Sequence, residues 1–367
     1  MDKRLKVGFL LSGIGFVNRG AEQAMIKVCT GLAEKGDMDL RIFGGGNDLK
    51  IRYIKFISAP LIERGKFKDF PKFNIFIDDY RYEEYFYACN LLTKLIKNPC
   101  DIYITCDSPF VFLILKVLKE IFNKRFKLYY YTHNGIWPTE KINEGKLFFT
   151  DKILCTNAIY FNKLKSKYDC ILTPNGFNQE MWKSFKKKKS GNNKIKKILC
   201  VAALVKEKKI DVVISAVSKL KDCLLTIVGD GPESARLKEL AEKLAPKRVL
   251  FTGDLPHNKV IDHYKDSDLF INIKEDEPFG IVFLEAMASG ILVIADNNKI
   301  SKWILGKNGI FIRTDSGNEL ASCIKKTFRL KDLSARSEAL RKRAYEEFTW
   351  EKTIDKIYNT LKKEKVD

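Results

Sequence analysis

The stretch LFINIKEDEPFGIVFLEAMASGILVIAD, residues 269–296, decides the fold. It opens on a short apolar run, LFINI, and closes on another, ILVIAD. A strand buried on both faces of a parallel sheet reads in this unbroken way. Between the runs, Pro278-Phe279-Gly280 marks a loop or a helix start, because proline suits a first turn and glycine disfavours a helix interior. A helix is expected from Ile281 to Ser289, with Glu285 near its middle and Glu277 in the loop ahead of it. One short segment thus supplies a loop carboxylate, the N–H groups of Gly280, Ile281 and Val282 at an anion-friendly helix end, and a second carboxylate deeper in the helix. A carboxylate beside apolar residues is costly unless it is paired or hydrogen-bonded. A ligand bearing both phosphate and hydroxyl groups satisfies all three features. The alternative has Glu277 serving its own helix N-terminus and Glu285 merely exposed.

The same rhythm runs outward from this segment. Before it, residues 6–12, 39–45, 51–57, 74–79, 101–107, 127–135, 152–157 and 170–176 read as strands, with helices at 21–35 and 109–122. Residues 183–197, KSFKKKKSGNNKIKK, break the pattern: charged, Gly/Asn-containing and without apolar periodicity, they read as a linker. Beyond it, strands at 197–204, 224–231, 249–255, 269–274 and 291–296 alternate with helices at 210–220, 233–244 and 259–265. The tail, residues 333–365, is expected to be helical, with Trp350, Ile354, Ile357 and Leu361 on one stripe. The expected architecture is α/β: two doubly wound parallel-sheet domains with a crevice between them.

Size and charge agree with that reading and narrow the function. A chain of 367 residues is long for one ordinary core and comfortable as two. With 45% apolar and 31% charged residues it has a soluble globular composition. The net charge of +20 comes from lysines spread along the whole chain, which implies a general affinity for anions. No nucleic-acid-binding motif accompanies it, so a nucleic-acid partner is not expected. The basic run at residues 186–189 reads as a solvated linker, or as a peripheral contact with an anionic membrane.

The nine cysteines are scattered singly, without a CxxC pair, and the three histidines, at 133, 257 and 263, complete no Cys/His zinc cage. Reduced thiols in a cytoplasmic protein, with no metal, are expected. The N-terminus has the look of a signal peptide, but Lys6 interrupts it, Gly13 and Gly15 dilute it, and Asn18-Arg19 stand where a small-residue cleavage site belongs. A first strand running into a glycine loop accounts for it better. No apolar run approaches the ~18–20 residues of a membrane span.

Ligands of open parallel sheets bind beyond the carboxyl ends of the strands. Candidate residues do fall there: the LSGIG loop of residues 11–15, Arg19-Gly20-Ala21-Glu22 opening the first helix, Gly229-Asp230-Gly231, and the EDEPFG loop. The first loop lacks a full GxGxxG, and no Walker motif is present, so dinucleotide and P-loop chemistry fall away.

The pattern of Glu277, seven residues, then Glu285, with PFG and EAMASG in place, resembles the signature of the retaining glycosyltransferases of family four, the glycosyl transferases group 1 of GT-B fold. The likeness extends to VAALVKEKKIDVVISAV, GDGPE, FTGDLPH, the PNG hinge at residues 174–176, and FTWEKT. It covers nearly all of the C-terminal domain and is looser in the N-terminal one. It implies two Rossmann-like domains facing across a cleft. Residues 1–180 would form the acceptor-side domain, joined by the returning helix 346–367, and residues 181–345 the nucleotide-sugar domain.

By the same resemblance, Glu277 touches hydroxyls of the transferred sugar, Glu285 the ribose, and Lys208 the diphosphate, offsetting charge on the leaving group. Gly280, Ile281 and Val282, following Phe279, offer backbone amides to the diphosphate. Gly20 and Ala21 approach the donor, Gly229 closes the GDGPE strand end, and the backbone around Leu255 and Pro256 reads the base. His133 lines the sugar site. The chain departs from the family pattern twice, with Ala203 where an Arg is usual and Lys274 where a Ser is common; Lys206 and Lys209 are the candidate replacements for the missing Arg.

The implied reaction is front-face hexosyl transfer from a nucleotide-diphosphate sugar to a glycan or lipid-linked acceptor, metal-independent and without a cofactor. A non-catalytic sugar-nucleotide sensor or scaffold and a GT-B epimerase are the alternatives. The literal DxD at Asp266-Ser267-Asp268 leads straight into a strand and reads as structural. The pair Asp78-Asp79 either contacts acceptor or starts a loop.

Overall fold

A computed structural model describes residues 4–17, 20–73, 76–106, 109–122, 124–135, 148–183, 195–275 and 277–364. Arg19 and the basic run at residues 186–189 lie outside them. The chain divides into two compact units, Met1–Asn175 with Trp350–Asp367, and Gly176–Thr349.

The first unit is built on seven parallel strands: β1 (Leu5–Leu11), β2 (Met38–Gly44), β3 (Ile54–Ser58), β4 (Ile102–Thr105), β5 (Lys127–Tyr131), β6 (Lys152–Cys155) and β7 (Cys170–Leu172), in the order β3-β2-β1-β4-β5-β6-β7. Central strands bury both faces, which is why β4 is buried at every position and reads as an apolar run. Helices Gly20–Lys35 and Trp350–Leu361 pack so closely that a Cβ on Gly31 would lie 2.2 Å from Ile354 Cδ1. The hydroxyl of Thr353 donates to the carbonyl of Pro174 at 2.5 Å, tying the tail to the end of β7.

The second unit carries six parallel strands: β8 (Lys196–Val201), β9 (Cys223–Val228), β10 (Val249–Phe251), β11 (Leu269–Asn272), β12 (Leu292–Asp296) and β13 (Ile310–Ile312), in the order β10-β9-β8-β11-β12-β13. Two apolar layers sandwich this sheet. Phe270, Phe283, Leu284 and Met287 lie in one, and Val213, Ile214, Leu237 and Ile324 in the other. Strand order reverses between β1 and β4 in the first unit and between β8 and β11 in the second. Loops leaving the two central strands diverge at such a point, and the crevice they leave is where open α/β sheets bind ligands.

Two expectations need correction. Of the strand expected at residues 74–79, residues 74 and 75 lie outside the described residues and 76–79 are not strand: Phe73 and Phe76 form an isolated bridge, and Asp78 accepts from the backbone N–H of Arg81 at 3.0 Å to start helix Asp79–Lys97. Phe76 finds its apolar partners in aromatic rings instead of a neighbouring strand. The C-terminal tail is two helices, Leu333–Glu347 and Trp350–Leu361, broken where Phe348 leaves helical dihedrals and sinks to 1% exposure. All nine cysteines are free, and burial pushes the Cys200 thiol up to about 12, as expected of an inert apolar residue. No helix among the described residues is long and apolar enough to cross a membrane.

Candidate functional site

The loops that follow β8 and β11 leave the switch point of the second sheet, and they carry Lys208 and Glu277. Residues 206–208 form a tight 3-10 turn, closed by Lys209 in the left-handed region. The turn aims Lys208 back over the sheet, and its Nζ donates to Glu277 Oε2 at 2.6 Å. Both side chains are largely covered, at 18% and 14% exposure. Lys274 Nζ approaches the same carboxylate oxygen at 4.0 Å. One carboxylate therefore sits against two ammonium groups, a local positive excess suited to an anion.

Phe279 pins the Glu277 loop. Its ring is buried against Trp303 and Phe348. Gly280 then turns the chain at φ +79°, where a Cβ would stand 2.8 Å from the Phe283 ring and 3.1 Å from Glu277 Cγ. Only glycine fits that turn. It leads into helix Ile281–Ala288, whose N-terminus no side chain caps. Uncapped first-turn amides beside Lys208 form an anion cradle, with the helix dipole adding to it.

Glu285 is 5% exposed, which rules out the merely exposed alternative. Its Oε2 accepts from the hydroxyl of Tyr264 at 3.0 Å, and its Oε1 lies 2.5 Å from His257 Nε2. Both partners come from helix His257–Lys265, which starts after Leu255 and Pro256. The hydrogen bond to Glu285 raises the His257 pKa against the opposing effect of burial. Burial, followed by the Glu285 charge, drives the Tyr264 phenol well above its usual range. Leu255 packs on the apolar layer beneath and fixes the entry to this helix.

Gly229, at the end of β9, adopts φ +126°, and its N–H donates to the carbonyl of Gly253 at 2.9 Å. A Cβ there would meet the Ala202 carbonyl oxygen at 2.1 Å, so this glycine lets the loops after β8 and β9 lie against each other. Ala203 is exposed, at the position expected to be basic. Lys209, a candidate replacement, pairs with Glu275 and with Asp315, the latter at 2.6 Å. Lys206 is exposed.

In the first unit, Gly20 and Ala21 open helix Gly20–Lys35 after β1, Gly20 exposed and Ala21 half-buried. His133 follows β5 in a one-turn 3-10 segment, 8% exposed, with its ring centroid 4.0 Å from that of Tyr131. Burial pushes its pKa down to about 3, and its Nε2 has no hydrogen-bond partner among the described residues. It is a neutral imidazole with one nitrogen unsatisfied. Asp268 proves structural, accepting from the Lys197 N–H at 2.9 Å and so tying β8 to β11. Asp79 pairs with Lys72.

Sequence reading singled out Lys208, Glu277, Gly280 and Glu285, and the second unit gathers them around one switch point. It missed His257 and Tyr264, and it noted Lys274 as a departure from the family pattern without placing it against Glu277. His257 and Tyr264 stand seven residues apart, two turns along one helix face, which marks the face but not its partner.

Comparison with known proteins agrees with this layout. Residues 182–347 match the family described as Glycosyl transferases group 1. An alpha-monoglucosyldiacylglycerol synthase of Streptococcus pneumoniae is 31% identical over 172 residues, 42% of this chain and 39% of that protein. The chain spans less than half the length of the curated relatives it matches. Among solved structures, a sucrose-phosphate synthase from Thermosynechococcus elongatus superposes with a TM-score of 0.79 over 98% of this chain and 99% of that one, at 16% identity. HepE of Anabaena, solved with UDP-glucose, gives 0.73 over 98% and 100%, also at 16% identity. Two parallel α/β sheets of seven and six strands with this likeness define the GT-B fold. The match of residues 182–347 falls wholly within the second unit, which carries a glycosyl transferases group 1 domain.

Proposed function

We propose that the chain is a retaining glycosyltransferase that moves a hexosyl unit from a nucleotide-diphosphate sugar to a glycan or lipid-linked acceptor. The observation that carries this reading is the 2.6 Å contact of Lys208 with Glu277 across the β8/β11 switch point, beside the uncapped start of helix Ile281–Ala288. The diphosphate sits over the first-turn amides of Ile281 and Val282, its charge met by Lys208. Glu277, released from Lys208 as the phosphates arrive, accepts hydrogen bonds from the sugar hydroxyls. Glu285 accepts from the ribose, whose hydroxyls replace His257 as donors. Neutral His133 supplies a hydroxyl-binding nitrogen on the first unit.

The bond from the anomeric carbon to the diphosphate oxygen breaks, and the electron pair leaves with the phosphate. The acceptor oxygen bonds to the same carbon from the same face, and its proton passes to the departing phosphate oxygen. Lys208 and the amides favour this step because they meet charge that grows on the leaving group. No enzymic nucleophile is needed, and the charge is met without a metal ion.

A non-catalytic sensor is the second reading, favoured by Lys274, which crowds Glu277 where a small polar residue is usual. One experiment separates the two: calorimetry and product analysis on the wild type and Glu277→Ala, screened with UDP-, GDP-, ADP- and CDP-sugars. Glycosyl transfer is expected for one of these donors, with Glu277→Ala binding the diphosphate and losing at least a hundredfold in turnover. Tight donor binding without any turnover points to the sensor. Unimpaired transfer by Glu277→Ala overturns the assignment.

A further inference from the structure

Lys274 has no task in the transfer chemistry of a neutral sugar. The diphosphate is met by Lys208 and the first-turn amides of helix Ile281–Ala288, and Glu277 receives sugar hydroxyls. Lys274 stands beside that carboxylate, its Nζ 4.0 Å from Glu277 Oε2 and its side chain 23% exposed. The distance is too long for a hydrogen bond. The ammonium makes none with any of the described residues. An ammonium carries three donors and no acceptor, so this one stands largely covered with its donors unspent.

The turn that presents it is held in place. Asn272 ends β11, and its Oδ1 accepts from the backbone N–H of Lys274 at 3.2 Å, which fixes where the lysine leaves the sheet. The Nδ2 of the same carboxamide is buried without a partner among the described residues, a second unspent donor in this turn. Of the carboxylates nearby in the chain, Glu275 is drawn to Lys209 and Glu277 is shared with Lys208, while Asp276 lies outside the described residues. Once a diphosphate engages Lys208, Lys274 and Glu277 are left as one cation beside one anion. A neutral hexose then satisfies Glu277 through its hydroxyls, and it meets the ammonium only through dipoles. A hexose that also bears a carboxylate meets the ammonium with a full opposite charge. The same ammonium, lying between that carboxylate and Glu277, offsets their mutual repulsion.

We propose that Lys274 selects the donor: the transferred hexose carries a carboxylate, as in a uronic acid, and the Lys274 ammonium binds it while Glu277 holds the neighbouring hydroxyls. The inference rests on the transferase reading and names the class of sugar within it. Lys274 is a specificity residue here. The carboxylate keeps its charge and takes no part in the bond exchange at the anomeric carbon. A lysine in place of a small polar residue then serves recognition, where the non-catalytic reading finds only crowding.

Titration calorimetry of the full chain with matched donors tests this. Glucose is compared with glucuronate, galactose with galacturonate and mannose with mannuronate, each linked to whichever of UDP, GDP, ADP and CDP the wild type binds. Wild type is expected to bind at least one uronate about tenfold or more tightly than its neutral partner. Lys274→Ser should bring that ratio close to one, and Lys274→Arg should keep most of it. No uronate preference in any pair, or a ratio unchanged in Lys274→Ser, overturns the proposal. So does an equal loss of uronate, neutral donor and free nucleoside diphosphate in Lys274→Ser, which would make the lysine a diphosphate ligand. The acceptor is the other source of an anion, so glucose and glucose 6-phosphate are titrated into the nucleoside-diphosphate complex. A Lys274-dependent preference for the phosphate there, without any preference among donors, overturns the donor assignment. Wild type that binds none of the four nucleoside diphosphates sinks the transferase reading and this inference with it. Nucleoside-diphosphate binding without a uronate preference sinks this inference alone.

Discussion

Lys208 and Glu277, 69 residues apart in the chain, meet at 2.6 Å because each follows a central strand of the second sheet, β8 and β11, on opposite sides of the order reversal. Neither loop alone forms a site. Lys274 at 4.0 Å makes Glu277 a carboxylate shared between two cations, so an arriving diphosphate can take over Lys208 while Glu277 turns to neutral hydroxyls.

Lys208→Met keeps the length of the side chain and removes its charge. The affinity for a nucleoside diphosphate should fall tenfold or more, about 1.4 kcal/mol, while the affinity for the uncharged nucleoside should hold. Titration calorimetry with both ligands checks this. An equal loss for each would mean that Lys208 shapes the loop instead of meeting the phosphates.

Gly280→Ala forces a Cβ onto a backbone at φ +79°, 2.8 Å from the Phe283 ring. A destabilisation of about 1–3 kcal/mol is expected from the strained conformation. Urea unfolding followed by circular dichroism measures it. The variant should also bind nucleoside diphosphate more weakly, because the first-turn amides shift with the turn. An unchanged unfolding midpoint would show that the turn can relax without glycine.

His133 gives a pH signature. Its folded pKa is depressed by burial to about 3 from an ordinary 6.5, so below pH 6.5 the unfolded chain binds a proton that the folded chain refuses. Its contribution to stability is thus intact above pH 6.5 and is lost progressively as pH falls toward 3. A His133→Gln variant, which cannot take up that proton, should lose less stability than wild type between pH 7 and pH 4. Thermal melts across that range test the point, and parallel curves for the two proteins would contradict it.

Much of the fold was legible because buried parallel strands must be apolar on both faces, and such runs stand out between helices. LFINI and ILVIAD became β11 and β12 with the helix between them, and the chain of strand ends located Lys208, Gly229 and Glu277 on one side of the sheet. Residues 74–79 misled because the apolar run of an aromatic platform looks the same as that of a strand until its neighbours are known.

Sequence by itself determined the alternation of strands and helices, the loop carboxylate, the glycine that turns the chain into its helix, and the carboxylate within that helix. These follow from local rules: glycine at a left-handed turn, proline in the loop ahead of the helix, apolar periodicity. Only the tertiary structure decided who partners whom. Glu285 is buried against Tyr264 and His257, Glu277 lies against Lys208 and Lys274, and Lys209 is drawn off to Glu275 and Asp315. Electrostatic partners are chosen by distance in space, and strand order, which local spacing does not encode, sets that distance.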